Sequence, residues 1–183
     1  MSVTLYLAIP CYNEETVLPE TARRLREKFT ALRAAGTIGP MSRICFIDDG
    51  SKDATWQLIS DLHARDPAFS GIRLSRNRGH QNALLCGLMT LRNRADCVIS
   101  MDADLQDPPA LLPQMLDTLL TGEYDCAATR RTTRKGEPPL RSWFARKFYQ
   151  IINKMSDTEI VDGARDFRLM SRKMTDAVLS MAE

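Results

Sequence analysis

Short apolar runs alternate along this chain with longer amphipathic stretches, and this alternation constrains the fold more than any other feature. The apolar runs predict strands at residues 3–9, 43–47, 72–74, 97–101 and 125–129. The stretches between them predict helices at about residues 13–34, 54–64, 79–92 and 109–121. Strands that alternate with helices of about ten or more residues favour right-handed parallel crossovers. We therefore predict an α/β fold, with a mostly parallel sheet flanked by helices on both faces.

Capping residues predict where the first two helices begin. Asn13 directly precedes the first helical stretch, and Ser51 precedes the second. Side-chain oxygens of both residue types accept hydrogen bonds from the unpaired amides of a first helical turn. We therefore predict Asn13 and Ser51 as the N-caps of these helices.

The length and composition indicate one domain. The 183 residues are 44% hydrophobic and 26% charged, which is enough for a single domain, residues 1–183, with its own core. No run approaches the roughly 18 to 20 apolar residues of a membrane-spanning helix, and residues 1–10 lack the basic flank of a signal peptide. We expect a soluble, cytosolic protein.

The five cysteines are odd in number and include no C-x-x-C pair. Most of them lie inside apolar runs. We therefore predict buried small hydrophobes in a reducing compartment, in preference to disulfides or metal ligands. The residues concerned are Cys11, Cys45, Cys86, Cys97 and Cys126.

The basic charge is concentrated in one segment. Residues 130–154 carry eight basic side chains and one acidic side chain, although the net charge of the whole chain is only +2. Such a block indicates a surface for phosphates or for an anionic membrane, and we expect no nucleic-acid partner. Apolar residues recur in and next to this segment at helical spacing: Leu140, Trp143, Phe144, Phe148, Ile151, Ile152 and Met155. Residues 130–154 therefore form either an interfacial helix on a membrane or a core-packed helix with a solvated basic side.

Polar clusters follow four of the predicted strands at the point where each strand ends. They lie at residues 10–15, 48–53, 75–82 and 102–107. In parallel α/β sheets, ligands bind beyond the carboxyl ends of the strands. One crevice could therefore collect all four clusters.

Asp102 and Asp104 lie two residues apart at the end of the fourth strand. Both carboxylates can reach a common cation there, and oxygen ligands favour Mg²⁺ or Mn²⁺. Two carboxylates alone hold such an ion weakly, so the pair suggests a metal that a nucleotide diphosphate also binds. The alternative is a solvated acidic turn in which Asp107 caps the following helix.

Two of the other three strand-end clusters allow two interpretations each. Asp49 can accept a hydrogen bond from a ribose hydroxyl or a base N–H, while Gly50 gives the turn its backbone freedom. The alternative is a turn followed by a helix cap. Asn13, Glu14 and Glu15 can likewise belong to a binding loop, or they can cap a helix and complement its dipole.

Five ordered motifs together resemble those of the family 2 glycosyltransferases. Within that family the chain looks most like the polyprenyl-phosphate sugar transferases, such as bactoprenol glucosyltransferase and dolichol-phosphate mannose synthase. The motifs are P-C-Y-N-E-E at 10–15, D-D-G-S at 48–51, R-N-R-G at 76–79 with N-A at 82–83, D-A-D-L-Q-D-P-P at 102–109, and D-F-R-L-M at 166–170. We expect the last motif to lie in a helix.

The resemblance implies a Rossmann-like GT-A fold, which is the nucleotide-diphospho-sugar transferase fold, and inverting transfer from a nucleotide diphosphate sugar. It implies that the nucleotide is held by Pro10, Tyr12, Asn13, Glu14, Asp49, Asp102 and Gln106. It implies that Mg²⁺ or Mn²⁺ is held by Asp102 and Asp104. The similarity of the D-A-D-L-Q-D-P-P motif to the bactoprenol enzymes favours a UDP-sugar.

Asp104 and three further residues are the candidates for catalysis. Arg130 and Arg131 are candidates for binding acceptor or donor phosphate, because guanidinium groups match phosphate oxygens; alternatively they belong to a solvated loop. Asp166 either orients the acceptor or forms a structural ion pair with Arg168. We expect no catalytic role for His63 or His80.

The resemblance also implies a polyprenyl phosphate acceptor, and hence an enzyme peripheral to the cytosolic face of a membrane. Members of this group continue beyond the D-F-R-L segment, often into two transmembrane segments, so the shorter chain puts full activity on a membrane lipid in doubt. Two alternatives stay open: a GT-A enzyme that acts on a saccharide or transfers a nucleotide, and a non-catalytic nucleotide-binding or membrane-docking fragment. No oligomeric state is predicted.

Overall fold

A computed structural model describes residues 2–130 and 164–181 of the chain. The strands are β1 (Leu5–Cys11), β2 (Arg43–Asp48), β3 (Phe69–Arg73), β4 (Cys97–Ser100), β5 (Cys126–Arg130) and β6 (Ala164–Ser171). The helices are α1 (Leu18–Ala34), α2 (Thr55–Arg65), α3 (His80–Leu91), α4 (Leu112–Leu120) and α5 (Arg172–Ser180). A short 3₁₀ turn, Pro109–Leu111, leads into α4.

The strands form one sheet in the order β3-β2-β1-β4-β6-β5. β1 pairs in parallel with both β2 and β4, and β2 pairs in parallel with β3. β6 runs antiparallel to β4, with Leu169 opposite Ile99. The predicted α/β fold with a mostly parallel sheet is therefore confirmed.

The sheet is covered on both faces, because alternate residues of its central strand enter two different cores. Leu5, Leu7 and Ile9 of β1 pack in a core with residues of α1, α2 and α4. Tyr6 and Ala8 pack in a second core with residues of α3 and with partly buried side chains of α5. Burying one Leu or Ile side chain contributes about 1.5–3 kcal/mol, so a strand that is buried along its whole length anchors both layers.

Pro10 does not end the first strand, which lies two residues later than predicted. β1 continues through Pro10 to Cys11, and Pro10 lies opposite Ile47 of β2. The register with β4 ends at Ala8, so Pro10 lies where β1 extends past β4. A residue without an amide hydrogen is tolerated in a strand where one side needs no ladder bond.

The two predicted helix caps are wrong. α1 begins at Leu18 after Val17, and α2 begins at Thr55 after Ala54. Neither of these N-cap residues makes a side-chain capping bond. Asn13 has a φ of 56°, outside the extended conformation of an N-cap, and its side chain bonds a different loop. Ser51 is likewise engaged elsewhere, because its hydroxyl accepts the amide of Asn13 at 2.9 Å.

The D-F-R-L segment forms a strand, not the predicted helix. In β6, Phe167 and Leu169 are fully buried whereas Arg168, between them, is exposed. This alternation has the period of a half-buried strand. The helix that follows, α5, begins only at Arg172 and is capped by Ser171, whose hydroxyl accepts the amide of Met174 at 3.1 Å.

The chain divides into two compact units, Met1–Ala127 with Phe167–Glu183, and Ala128–Asp166. Apart from Arg130, the basic segment 130–154 lies outside the described residues, so its amphipathic helix stays a prediction. The assignment of residues 1–183 to a single catalytic domain also stays a prediction.

No helix within residues 2–130 and 164–181 combines the length and apolarity needed to cross a bilayer. All five cysteines carry free thiols; Cys11, Cys45 and Cys97 are buried, and Cys86 and Cys126 are partly exposed.

Candidate functional site

A cleft of about 390 Å³ lies beyond the carboxyl ends of the central strands. Its walls come from the segments that follow β1, β2, β3 and β4, so all four polar strand-end clusters contribute to it. The lining residues are Pro10, Cys11, Tyr12, Glu14, Asp49, Asn77, Gly79, His80, Asp102, Ala103 and Asp104. The parallel sheet therefore gathers acidic and amide side chains from four separate parts of the sequence.

The loop after β1 is braced against the loop after β2. The amide of Asn13 donates to the Ser51 hydroxyl, and the Asn13 side-chain oxygen accepts the amide of Lys52, both at 2.9 Å. Asparagine tolerates the left-handed conformation that this geometry requires. Further bonds join Glu14 N to Thr55 Oγ1, Glu15 N to Asp53 Oδ2, and Ala54 N to Glu15 Oε2. These bonds hold Glu14 at the edge of the cleft.

Asp49 connects the loop after β2 to the R-N-R-G segment. Its two carboxylate oxygens accept the amides of Arg78 and Gly79 at 2.7 and 2.8 Å. Asp49 is only 2% exposed. A carboxylate has about four lone-pair sites, so Asp49 can hold this segment and still accept a ligand hydrogen bond.

The turn after β4 presents Asp102 and Asp104. Asp104 accepts two hydrogen bonds from Gln106, one from its main-chain amide at 3.0 Å and one from its side-chain amide at 2.7 Å. Asp102 Oδ1 lies 3.6 Å from His80 Nε2, an ion-pair distance when the imidazole is protonated. Leu105, between Asp104 and Gln106, has a φ of 60°, which is unusual for a branched side chain and is found at functional turns.

The carboxylates of the cleft repel one another. Burial, and then the Asp104 carboxylate, raises the pKa of Glu14 above its ordinary value. Asp53 and Asp102 add smaller contributions in the same direction. Burial also raises the pKa of the Cys11 thiol well above its usual range, with Glu14 adding to this effect, so Cys11 lines the cleft as a neutral group.

The residues of the cleft fit a divalent cation that takes some of its ligands from the protein and the others from a bound molecule. Excess negative charge at Glu14, Asp102 and Asp104 favours a cation. Within the described residues, however, no group of three or more His, Cys, Asp or Glu side chains is arranged to hold a metal ion. A cation held by Asp102 and Asp104 would therefore need oxygen ligands from a nucleotide or from water.

Six of the predicted site residues line this cleft: Pro10, Tyr12, Glu14, Asp49, Asp102 and Asp104. Asn13 and Gln106 are not among the lining residues; Asn13 joins two loops, and Gln106 holds Asp104. Arg130 is exposed at the end of β5, and Asp166 is partly buried in β6. Arg131 lies outside the described residues. The roles assigned to all these residues stay predictions.

Several lining residues were not among the predicted ones. Asn77, Gly79 and His80 come from the segment after β3, and the strand-end rule had indicated this segment without assigning roles to its residues. The expectation that His80 has no catalytic role stays a prediction. His80 begins α3 at the cleft, and its Nε2 lies 3.6 Å from Asp102 Oδ1. His63 lies elsewhere, with Nδ1 2.8 Å from the carbonyl oxygen of Phe69.

Sequence comparisons place these residues in a known family. A family model described as Glycosyl transferase family 2 matches residues 6–179. The uncharacterized glycosyltransferase YkoT of Bacillus subtilis (strain 168) is 40% identical over 171 residues, which are 92% of this chain and 50% of that protein. A prophage bactoprenol glucosyl transferase homolog of Escherichia coli (strain K12) is 34% identical over 177 residues, which are 97% of this chain and 55% of that protein. The chain thus spans about half the length of the curated relatives it matches.

Two solved structures are similar in fold. A mannosyltransferase from Pyrobaculum calidifontis, in complex with GDP-Man and Mn²⁺, has a TM-score of 0.62 and 18% identity, covering 97% of this chain and 47% of that chain. The glucosyl-3-phosphoglycerate synthase from Mycobacterium tuberculosis, in complex with Mn²⁺, UDP and phosphoglyceric acid, has a TM-score of 0.56 and 22% identity. That match covers 93% of this chain and 56% of the other. At these identities the likeness concerns the fold.

Proposed function

This chain belongs to glycosyl transferase family 2 and has the GT-A fold of nucleotide-sugar transferases, and we propose that it transfers a sugar from a nucleotide diphosphate sugar to a polyprenyl phosphate lipid. We propose a UDP-sugar as the donor and inversion at the anomeric carbon. The reaction takes place at the cytosolic face of a membrane, with the protein bound peripherally. We propose a polyprenyl phosphate acceptor because relatives of this chain are named bactoprenol glucosyl transferase.

One observation carries the proposal: carboxylates from the ends of three strands line one cleft. Glu14 follows β1, Asp49 follows β2, and Asp102 and Asp104 follow β4. Such a cleft at the carboxyl edge of a parallel sheet is where α/β proteins bind nucleotides. We assign the base and ribose to Pro10, Tyr12, Glu14 and Asp49, and the diphosphate side to Asp102, Asp104 and Gln106. Asn13 belongs to the same nucleotide site, where it braces the loop that carries Tyr12 and Glu14.

We propose that Asp102 and Asp104 hold Mg²⁺ or Mn²⁺ together with the diphosphate of the donor. The two solved neighbours contain Mn²⁺ with a nucleotide, which supports a divalent cation in this fold. A bound cation would neutralise the negative charge that develops on the leaving diphosphate. Gln106 keeps the Asp104 carboxylate in one orientation through its two hydrogen bonds.

The proposed reaction is an in-line displacement at the anomeric carbon. A phosphate oxygen of the lipid forms the new bond to this carbon, the bond to the diphosphate breaks, and the nucleoside diphosphate leaves. Because a phosphate monoester has a second pKa of roughly 6, the acceptor is already ionised near neutral pH. No strong general base is then required. Asp166 would orient the acceptor, and Arg130 and Arg131 would bind its phosphate or that of the donor.

The experiment that tests the donor site is a thermal-shift panel of UDP, GDP and their sugar conjugates, each with Mn²⁺ or with EDTA. We expect UDP with Mn²⁺ to stabilise the protein; at about 100 times its Kd a ligand adds roughly 2.7 kcal/mol. Asp104→Asn should abolish most of the difference between the stabilisation by UDP in Mn²⁺ and the stabilisation by UDP in EDTA. Asp117→Asn, an exposed carboxylate on α4, is the matched control and should respond like the wild type. An equal response in EDTA would contradict the metal assignment.

A second assay separates the proposed function from the two alternatives. Radiolabelled donor is offered with polyprenyl phosphate in detergent, with a soluble saccharide, or with neither acceptor. Product on the lipid alone supports the proposal, whereas product on the saccharide alone supports a soluble transferase. Nucleotide binding without transfer to either acceptor, and without donor hydrolysis, indicates a non-catalytic fragment.

A further inference from the structure

Thr21 is a buried residue of α1 that contacts the turn between the two aspartates of the cleft. Its side chain is completely buried. Its hydroxyl donates to the main-chain carbonyl of Ala103 at 2.6 Å, although the two residues lie 82 positions apart in the sequence. The hydroxyl also lies 3.2 Å from the carbonyl oxygen of Val17, one turn earlier in the chain. The shorter bond therefore joins the helix to the residue between Asp102 and Asp104.

The turn that carries the aspartates needs such support. β4 ends at Ser100, and the amide of Met101 still donates to the Ala8 carbonyl at 3.3 Å. Beyond this bond the chain leaves the ladder and passes through Leu105, whose left-handed φ of 60° is unfavourable for its side chain. A conformation of this kind persists when the surrounding structure determines it. The bond from Thr21 to the buried Ala103 is one of the contacts that hold the main chain of this turn.

The same end of α1 also fixes Glu14. The amide of Leu18 donates to the Glu14 carbonyl at 2.9 Å, and the amide of Thr21 donates to Val17 at 3.1 Å. The first turn of α1 is thus bonded both to the main chain of Glu14 and, through Thr21, to the main chain between the two aspartates.

We infer that Thr21 is a positioning residue that holds the Asp102–Asp104 turn in the geometry that binds a divalent cation with a nucleoside diphosphate. The inference rests on the proposed function, because it presupposes that this cleft binds such a complex. Partners that orient the ligands of a metal, without touching the metal, commonly affect its affinity by about 10- to 100-fold. Thr21 reaches the turn through the bond from its hydroxyl to the Ala103 carbonyl, so its hydroxyl, and not its size, is the property that matters for the aspartates.

The test compares Thr21→Val, which keeps the shape and removes the hydroxyl, with Thr21→Ser, which keeps the hydroxyl. Isothermal titration calorimetry measures the affinity for UDP in Mn²⁺ and in EDTA. We expect Thr21→Val to weaken the binding of UDP in Mn²⁺ by about 10-fold, at the low end of the range for such partners. Thr21→Ser should stay within about twofold of the wild type, and neither change should alter the affinity measured in EDTA.

Thr175→Val is the matched control for a purely structural effect. Thr175 is 1% exposed, and its hydroxyl donates to the Ser171 carbonyl at 3.0 Å, in a helix that does not line the cleft. We expect Thr175→Val to lower the unfolding temperature, as Thr21→Val does, but to leave the UDP affinity in Mn²⁺ unchanged. If Thr21→Val does not fold, Thr21→Ala removes the hydroxyl without adding a methyl group in its place, and the same expectation applies.

The outcomes separate this inference from the proposed function. If the wild type shows no metal-dependent affinity for UDP, the proposed function fails and the inference fails with it. If the wild type binds UDP with Mn²⁺ and Thr21→Val or Thr21→Ala binds equally well, only the inference is overturned. It is also overturned if Thr21→Ser weakens binding as much as Thr21→Val, or if Thr175→Val weakens it to the same extent.

Discussion

At Gly50 the loop after β2 lies against the main chain of the R-N-R-G segment. Its φ is 70°, and a Cβ built there would lie 2.5 Å from the carbonyl carbon and 2.7 Å from the Cα of Arg76. Because these atoms belong to the main chain, no side-chain rotation can relieve the overlap. The neighbouring Asp49 holds the amides of Arg78 and Gly79, so Gly50 and Asp49 together fix this wall of the cleft.

Gly50→Ala is therefore expected to be strongly destabilising. The left-handed conformation costs about 1–2 kcal/mol for a residue with a Cβ, and the overlap with Arg76 adds to this. We expect the free energy of unfolding to fall by about 3 kcal/mol or more, measured by urea denaturation.

Gly36→Ala is the control that measures the cost of the left-handed conformation alone. Gly36 has nearly the same φ, 71°, but nothing in the described part of the chain lies within 4 Å of a Cβ built there. It should cost only about 1–2 kcal/mol. Equal losses for the two variants would show that contact with Arg76 contributes nothing.

β6 and α5 form the element that completes the sheet on the far side of β4. β6 inserts antiparallel beside β4, and the chain then turns directly into α5 at Ser171. The Ser171 hydroxyl accepts the amide of Met174 and donates to the Asp125 carboxylate at 2.8 Å. Lys173 bonds the same carboxylate at 2.7 Å, which lowers the pKa of Asp125 below its ordinary value. Ser171 thus begins the helix and also joins it to the residue before β5.

Ser171→Ala should destabilise this junction. Loss of an N-cap hydroxyl costs about 1 kcal/mol, and the bond to Asp125 is lost as well. We expect the free energy of unfolding to fall by at least about 1 kcal/mol in a denaturation experiment. Ser180→Ala, at the exposed end of the same helix, should change it by less than about 0.5 kcal/mol. A Ser171 variant as stable as the Ser180 variant would contradict this role.

At the scale of the whole molecule, the cleft collects negative charge from distant parts of the chain. The pKa of Glu14 is raised by burial first, and then by Asp104, Asp53 and Asp102. The folded protein therefore takes up a proton at Glu14 at a higher pH than the unfolded chain does. This contribution to stability is present below the ordinary pKa of 4.5 and is lost as the pH rises through the raised value.

Glu14→Gln should consequently stabilise the ligand-free protein at pH 7.5, because it removes an ionised carboxylate from a repulsive site. The gain should shrink as the pH falls towards 4.5, where Glu14 of the wild type becomes neutral in the fold. Urea denaturation at several pH values measures both effects. Glu123→Gln, an exposed residue outside the cleft, is the control and should change the stability little at any pH. A gain that is independent of pH would argue against the ionisation of Glu14 as its cause.

The alternation of apolar runs and helical stretches was sufficient to predict five of the six strands and helices on both faces of the sheet, but not β6. Burial periodicity is a local property, so a strand such as β1 or a helix such as α1 can be recognised from its own residues. The rule for parallel strand ends then predicted that Glu14, Asp49, Asp102 and Asp104 would share one crevice. Phe167 and Leu169 alternate with Arg168, which is the period of a strand, so β6 could also have been predicted from its own residues.

By itself, then, the sequence determined the layers, the approximate elements and the set of side chains at one sheet edge. Only the tertiary structure decided what those side chains contact. Asn13 and Ser51 bond each other across 38 positions instead of capping helices, and Thr21 reaches Ala103 across 82. His80 faces Asp102 because packing brings α3 and β4 together. Local patterns record which residues are buried, whereas hydrogen bonds between distant loops depend on how the packed elements meet.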